Sequence, residues 1–172
     1  LIVETEAYGG PDDLASHARA GLTTRTAPMF GPAGHAYVYL VYGMHHCLNV
    51  VSEGDRQAGA VLLRALAPTL GLDAIRSRRG RPDEPDARLA AGPARLAPAL
   101  AVDRRLDGAD LCRAEELWLS RSSSADGGMR EGADSGVDGE RPRIVSGPRV
   151  GVAYAGAGWA DRPWRFGLAG HA

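Results

Sequence analysis

Near the start of the chain, in VETEAYGG, Glu4, Glu6 and Tyr8 carry the residue types of acid–base chemistry at a spacing of two. Side chains alternate faces along a strand, so both carboxylates and the phenol project to one side and Leu1, Val3, Thr5 and Ala7 to the other. An ordinary carboxylate is ionised at neutral pH and takes a proton from water held beside it. The competing reading is the solvated face of an edge strand. Tyr8 tips the balance, because a ring beside a carboxylate makes a half-apolar pocket that exposed strands rarely need.

Other candidates follow downstream. Tyr37, Tyr39 and Tyr42 in YVYLVYG are either cross-strand packing or a binding platform. Tyr42 abuts Gly43, where a hairpin turn is expected, and tips normally favour Asn, Asp or Gly. With Met44 beside it, the ring has the apolar character of a side chain that wedges into stacked bases. In His45-His46-Cys47, His45 and Cys47 share a face and His46 does not, which makes a weak metal reading. The His-x-Glu and Pro-Cys-x-x-Cys signatures of zinc deaminases do not occur. Asn49 lies among apolar neighbours and reads as a buried amide, for structural hydrogen bonding or for reading a ligand edge. Arg64, the polar member of AVLLRALAP, needs a partner: Glu4, Glu6 or a phosphate.

These residues must be positioned by a small set of elements. A first strand over residues 1–8 closes at the turn formers GGPDD, and a loop or short helix follows around DLASHARAG. HAYVYLVYGMHHCLNVVS, residues 35–52, reads as two strands around Gly43, and AVLLRALAP as a strand buried on both faces. TLGLDAIRSRR reads as a helix capped by Thr69, and DARLAAGPARLAPALAV as helical pieces broken at Gly92-Pro93 and at Pro98. ELWLS is expected to be a short strand and RVGVAYAG and WRFGLAG the closing strands. Residues 121–142 are rich in Gly, Ser and Asp and read as a disordered surface loop. Hairpins with segregated helices indicate an α+β fold around a curved, mainly antiparallel sheet, with a protruding hairpin and peripheral helices.

The 172 residues suffice for one domain with a real core, and 44% hydrophobic content is that of a globular chain. Neither a membrane-length apolar run nor a signal segment is present, so the expectation is a soluble, intracellular protein. Cys47 and Cys112 fit reduced thiols better than a disulfide framework. The net charge of −1 is neutral on nucleic-acid binding, but residues 61–121 hold eleven arginines, so a basic surface must come from the middle of the chain. All twenty basic residues are arginine, and a lysine Schiff base is unavailable to this sequence. AGAGWA lacks the spacing of a dinucleotide fingerprint, and neither a Walker motif nor a Gly-x-Ser-x-Gly elbow occurs.

Taken together, IVETEAYGGPDDLASH, MFGPAGHAYVYLVYGMHHCLNVVS, GAVLLRALAP, GPARLAPALAV and the RVGV…W…RPWRF ending closely resemble the alkyladenine (3-methyladenine) DNA glycosylase family. The resemblance implies one glycosylase domain over residues 1–172, acting as a monomer on damaged double-stranded DNA without metal or organic cofactor. It implies that Glu6 activates the attacking water, and that Tyr8, His17 and Tyr39 line the pocket around an extruded base. Asn49 matches the position that screens out guanine through its 2-amino group. Arg64 matches one near the flipped nucleotide and its phosphate. Tyr42 would fill the hole left in the duplex, and Met44 would lie near the DNA backbone. Glu4 matches the family pattern without an assigned role. Family members begin with a further helix and strands before this first strand and end in Pro-x-Val-Ser. A chain lacking its N-terminal part is therefore expected, with residues 1–8 as an unpaired sheet edge. Two rivals stand beside a catalytic reading: a DNA- or RNA-binding module that uses the aromatic hairpin without catalysis, and a nucleotide-carrier module of a larger enzyme.

Overall fold

The computed structural model describes residues 1–54, 56–113, 115–121 and 143–171. Six strands form one open sheet: β1 (Ile2–Tyr8), β2 (Ala36–Val41), β3 (His45–Val51), β4 (Ala60–Leu66), β5 (Ile144–Gly147) and β6 (Arg165–Leu168). Their order is β2-β3-β4-β1-β6-β5, and every neighbouring pair is antiparallel. Three short helices accompany it: α1 (Leu72–Arg79), α2 (Asp86–Leu89) and α3 (Pro93–Ala99). The α+β fold around an antiparallel sheet is thus as expected. Among the described residues, no helix is long and apolar enough to cross a membrane.

The alternation of the strands sorts their side chains onto two faces. On one, Ala36 and Val38 of β2, Leu48 of β3 and Leu63 of β4 pack with Leu96 and Ala97 of α3 and with Val102, Leu106 and Leu111 beyond it. On the other, Tyr37, Val51 and Ala60 meet Ala18 and Met29 from the segment between β1 and β2. Two 3₁₀ turns, His17–Ala20 and Ala27–Phe30, shape that segment. Ser16 caps the first, its hydroxyl accepting from the amide of Ala18 at 3.1 Å.

The hairpin turns at Tyr42-Gly43. Both residues have positive φ, 52° and 70°, and the Met44 amide donates to the carbonyl of Val41 at 3.1 Å. A two-residue turn with this hand matches the twist of the flanking strands, which is why β2 and β3 stay in register from Ala36↔Val50 to Val41↔His45. Glycine adopts such a φ freely, whereas tyrosine does so at a steric cost of about 1–2 kcal/mol.

Several expectations need correction. β1 is interior, flanked by β4 and β6, and the sheet edges are β2 and β5. The cap of α1 is Gly71 rather than Thr69, with no side-chain hydrogen bond, and Pro98 lies inside the last turn of α3 instead of ending it. Pro98 removes one amide close to the helix end, where little of the ladder remains to be lost. ELWLS is not a strand: the Leu119 amide returns to the carbonyl of Leu111. RVGVAYAG is irregular, with a 3₁₀ turn at Ala153–Ala155, while the edge strand is Ile144–Gly147. The loop expected at 121–142 lies outside the described residues apart from Arg121.

Candidate active site

On the face that carries Tyr37, Val51 and Ala60, β1, β3 and β4 form the floor of a cavity of about 390 Å³, whose lining also takes in Pro93 and Ala94 at the start of α3. Glu6 is fully buried there, and three donors converge on its carboxylate. The Tyr8 hydroxyl donates to Oε2 at 2.8 Å, the Arg64 guanidinium pairs with Oε2 at 3.2 Å, and the Val150 amide donates to Oε1 at 2.6 Å. Burial, then the charge of Glu6, raises the pKa of Tyr8 well above the usual phenol value, so its hydroxyl remains a donor. The shared face of Glu4, Glu6 and Tyr8 is real, but it is an interior face.

Arg64 resolves its own alternatives by taking both carboxylates. Its Nε donates to Glu4 Oε1 at 3.1 Å while Nη1 pairs with Glu6. Glu4 also accepts from Arg165 Nη1 at 3.1 Å, which gives it a role the sequence left open: it holds Arg64 in the orientation that reaches Glu6.

The walls are aromatic. His17 Nδ1 lies 2.9 Å from the Tyr37 hydroxyl, and its ring meets Tyr39 edge-on at 4.6 Å between centroids. Arg25 reaches His17 Nε2 at 3.4 Å and stacks 5.4 Å above Tyr39. Burial, then the charges of Arg25 and Arg19, pushes the His17 pKa down to about 4. The imidazole is neutral, with Nε2 accepting from Arg25 and Nδ1–H donating to Tyr37. Asn49 is buried, as expected, and its Nδ2 donates to the Tyr37 carbonyl at 2.9 Å, leaving Oδ1 toward the cavity it lines.

His45 and Cys47 also line the cavity. Cys47 is a buried free thiol whose pKa burial raises, whereas Cys112 is free and exposed. Among the described residues, no three metal-binding side chains cluster. Tyr42 reaches the cavity mouth and is 85% exposed; Met44, 68% exposed, stands on the hairpin tip outside the lining.

Sequence reasoning missed four contributors. Tyr37, weighed only as packing or platform, orients His17 and Asn49. Arg25 covers one wall, and the Val150 amide holds Glu6. The fourth is a buried pair, Asp13 and Arg149, joined at 2.6 and 3.0 Å across 136 positions of sequence. Asp13 sits in a turn-forming run and Arg149 in an alternating apolar one, so neither carries a local signal of the other.

The chain matches the Methylpurine-DNA glycosylase (MPG) family over residues 1–172. The chain belongs to the methylpurine-DNA glycosylase family. Its relatives include proteins named "Putative 3-methyladenine DNA glycosylase" in several organisms. One from Anaeromyxobacter dehalogenans (strain 2CP-C) is 46% identical over 171 residues, covering 99% of this chain and 68% of the relative. Another from Methanocella arvoryzae is 44% identical over 169 residues, 96% of this chain and 74% of the relative. A third, from Streptomyces avermitilis, is 44% identical over 165 residues, 96% of this chain and 70% of the relative. Membership in the methylpurine-DNA glycosylase family agrees with the resemblance read from the motifs.

Proposed function

We propose that this chain is a monofunctional DNA glycosylase that excises alkylated or deaminated purines from damaged double-stranded DNA in base excision repair, acting as a monomer. The observation that carries the reading is Glu6: a fully buried carboxylate at the floor of a tyrosine- and histidine-walled cavity, beneath an exposed aromatic hairpin tip.

A purine inside a duplex is out of reach and must be rotated into the cavity, at a cost of a few kcal/mol that is smallest for a damaged pair. Tyr42 fills the vacated stack and offsets that cost, with Met44 against the DNA backbone. Tyr8 and Tyr39 offer ring surfaces to the base, and a cationic alkylated purine gains a further cation–π attraction. Neutral His17 lines the same pocket, and Asn49 crowds the 2-amino group of guanine.

A carboxylate offers about four lone-pair sites. The Val150 amide, Tyr8 and Arg64 occupy three, which leaves one on Oε1 for a water molecule. Glu6 takes a proton from that water as its oxygen bonds to the sugar carbon. The bond from the sugar to the purine nitrogen breaks, and its electron pair leaves with the base. The negative charge of Glu6 stabilises the oxocarbenium-like sugar between these events. Water attack balances without a cofactor, and the absence of lysine from the sequence fits base release without strand scission.

The second reading, a non-catalytic DNA- or RNA-binding module, draws on the same exposed Tyr42 and Met44. One assay separates the two. The full-length protein is incubated with duplexes that each carry one 3-methyladenine or one hypoxanthine, and free base and strand integrity are measured. The proposal expects free base with intact strands; tight binding with no released base overturns it in favour of the second reading.

A further inference from the structure

The cavity does not explain why a charged pair lies buried behind it. Asp13 is 2% and Arg149 5% exposed, and neither lines the cavity. Arg149 Nη1 donates to Asp13 Oδ2 at 2.6 Å and to the Ala7 carbonyl at 3.0 Å. Its Nη2 donates to Asp13 Oδ1 at 3.0 Å and to the Trp159 carbonyl at 3.1 Å. Asp13 is held from its other side by the amides of Gly9, at 2.9 Å, and Ala15, at 3.0 Å. The guanidinium lies 4.9 Å from the Tyr8 ring and 5.0 Å from that of Trp164. Among the described residues, Arg149 Nε is the one buried side-chain polar atom without a partner.

Stability alone does not call for such a pair. Desolvating two charges costs about as much as their attraction returns, and apolar side chains of similar volume hold the same segments together as well or better. What apolar contacts lack is direction. A guanidinium fork with four hydrogen bonds fixes both the position and the plane of the backbone that carries it.

That backbone leads straight to Glu6. The residue after Arg149 is Val150, whose amide donates to Oε1. The ring under the guanidinium belongs to Tyr8, whose hydroxyl donates to Oε2, and the carbonyl taken by Nη1 belongs to Ala7, between Glu6 and Tyr8. Two of the three donors on the carboxylate are thus placed by one guanidinium, and the third, Arg64, is placed independently by Glu4.

We infer that the Asp13–Arg149 pair is a positioning device for Glu6: it fixes the Val150 amide and the Tyr8 hydroxyl, and through them aims the carboxylate. The assignment rests on the proposed function, since it specifies which buried residues tune that site. Neither Asp13 nor Arg149 touches the base or the water. Their effect lies on the chemical step, not on lesion binding, which uses the hairpin tip and the cavity walls.

The test uses the full-length protein with Arg149→Lys, which keeps the charge and loses the fork, and Asp13→Asn, which keeps the shape and loses the charge. Leu63→Ala, on the helix side of the sheet, serves as a destabilised control. Base release from a hypoxanthine duplex is followed with enzyme in excess, and affinity is measured separately on a duplex bearing a non-cleavable abasic analogue. The expected result is a fall of about 100-fold in single-turnover rate for both pair variants, the scale set by a misplacement of ~1 Å. Affinity for the analogue stays at the wild-type value, and Leu63→Ala keeps the wild-type rate. Rates that stay at the wild-type level overturn the assignment, as do rate and affinity that fall together. Failure of both pair variants to fold shows the pair to be structural and also overturns it. A wild-type protein that releases no base overturns the proposed function itself, whereas normal release by the variants overturns this assignment alone.

Discussion

The two faces of the sheet both carry a cavity, and they differ in kind. On the helix side a hollow of about 670 Å³ is lined by leucines, among them Leu48, Leu63, Leu66 and Leu111. On the other side the smaller cavity, about 390 Å³, has a buried glutamate on its floor and tyrosines and a histidine in its walls. Volume alone would select the wrong one. The helix side is held by dispersion and the exclusion of water, which are non-directional and tolerate exchange. The cavity side is held by charges taken out of water, each of which must be answered by a placed partner. One face keeps the molecule folded, and the other has its geometry specified atom by atom.

The contrast is broken most severely at Arg64. Replacing it with methionine leaves Glu6 buried without its cation, a change expected to cost about 3–5 kcal/mol and to be read as a lowered denaturation midpoint. The same kind of exchange on the other face is mild: Leu48→Met conserves volume and is expected to cost less than about 1.5 kcal/mol, with base release unchanged. Equal losses at the two positions would erase the distinction between the faces.

Tyr42 sharpens the comparison by setting stability against function within one residue. At a φ of 52° the tyrosine is strained where asparagine is at ease. Tyr42→Asn is expected to gain about 1 kcal/mol of stability by calorimetry while weakening capture of the lesion duplex in a binding titration. A variant that gains stability and keeps full affinity would remove Tyr42 from the DNA interface.

A further effect is a dependence on pH. His17 titrates near 4 in the folded protein and near 6.5 when unfolded, so between these values the unfolded chain binds a proton that the native one does not. Its contribution is therefore fully present above about pH 6.5 and lost as pH falls toward 4. Denaturant titrations of wild type and His17→Gln at pH 7.5 and 4.5 should show a steeper acid loss in wild type. Parallel curves would mean that His17 is not held neutral.

Most of this cavity side was legible in the sequence, for a physical reason. The period of two that a strand imposes is local, so Glu4, Glu6 and Tyr8 fall on one face whatever lies around them. Gly43 between β-branched and aromatic runs marks the hairpin in the same local way. Legibility ended where partners come from far along the chain. RVGVAYAG alternates like a strand, yet the place beside β1 is taken by β6, and Arg149 is drawn inward to Asp13. The conformation of that segment, and with it the Val150 amide on Glu6, is decided by contacts more than a hundred residues away. ELWLS fails likewise, since its local propensity finds no ladder to join. The same limit hid the second arginine partner of Glu4: Arg64 on β4 was a candidate from the sequence, but Arg165 on β6 was not.

The central claim is that the carboxylate of Glu6 does the chemistry while other surfaces do the binding. Glu6→Gln keeps the size and most hydrogen bonds of the side chain and removes its charge. In a single-turnover assay on a duplex with one hypoxanthine, the account predicts that release of free base by this variant is abolished while affinity for the lesion duplex persists. Release at the wild-type rate by a folded Glu6→Gln protein would contradict it.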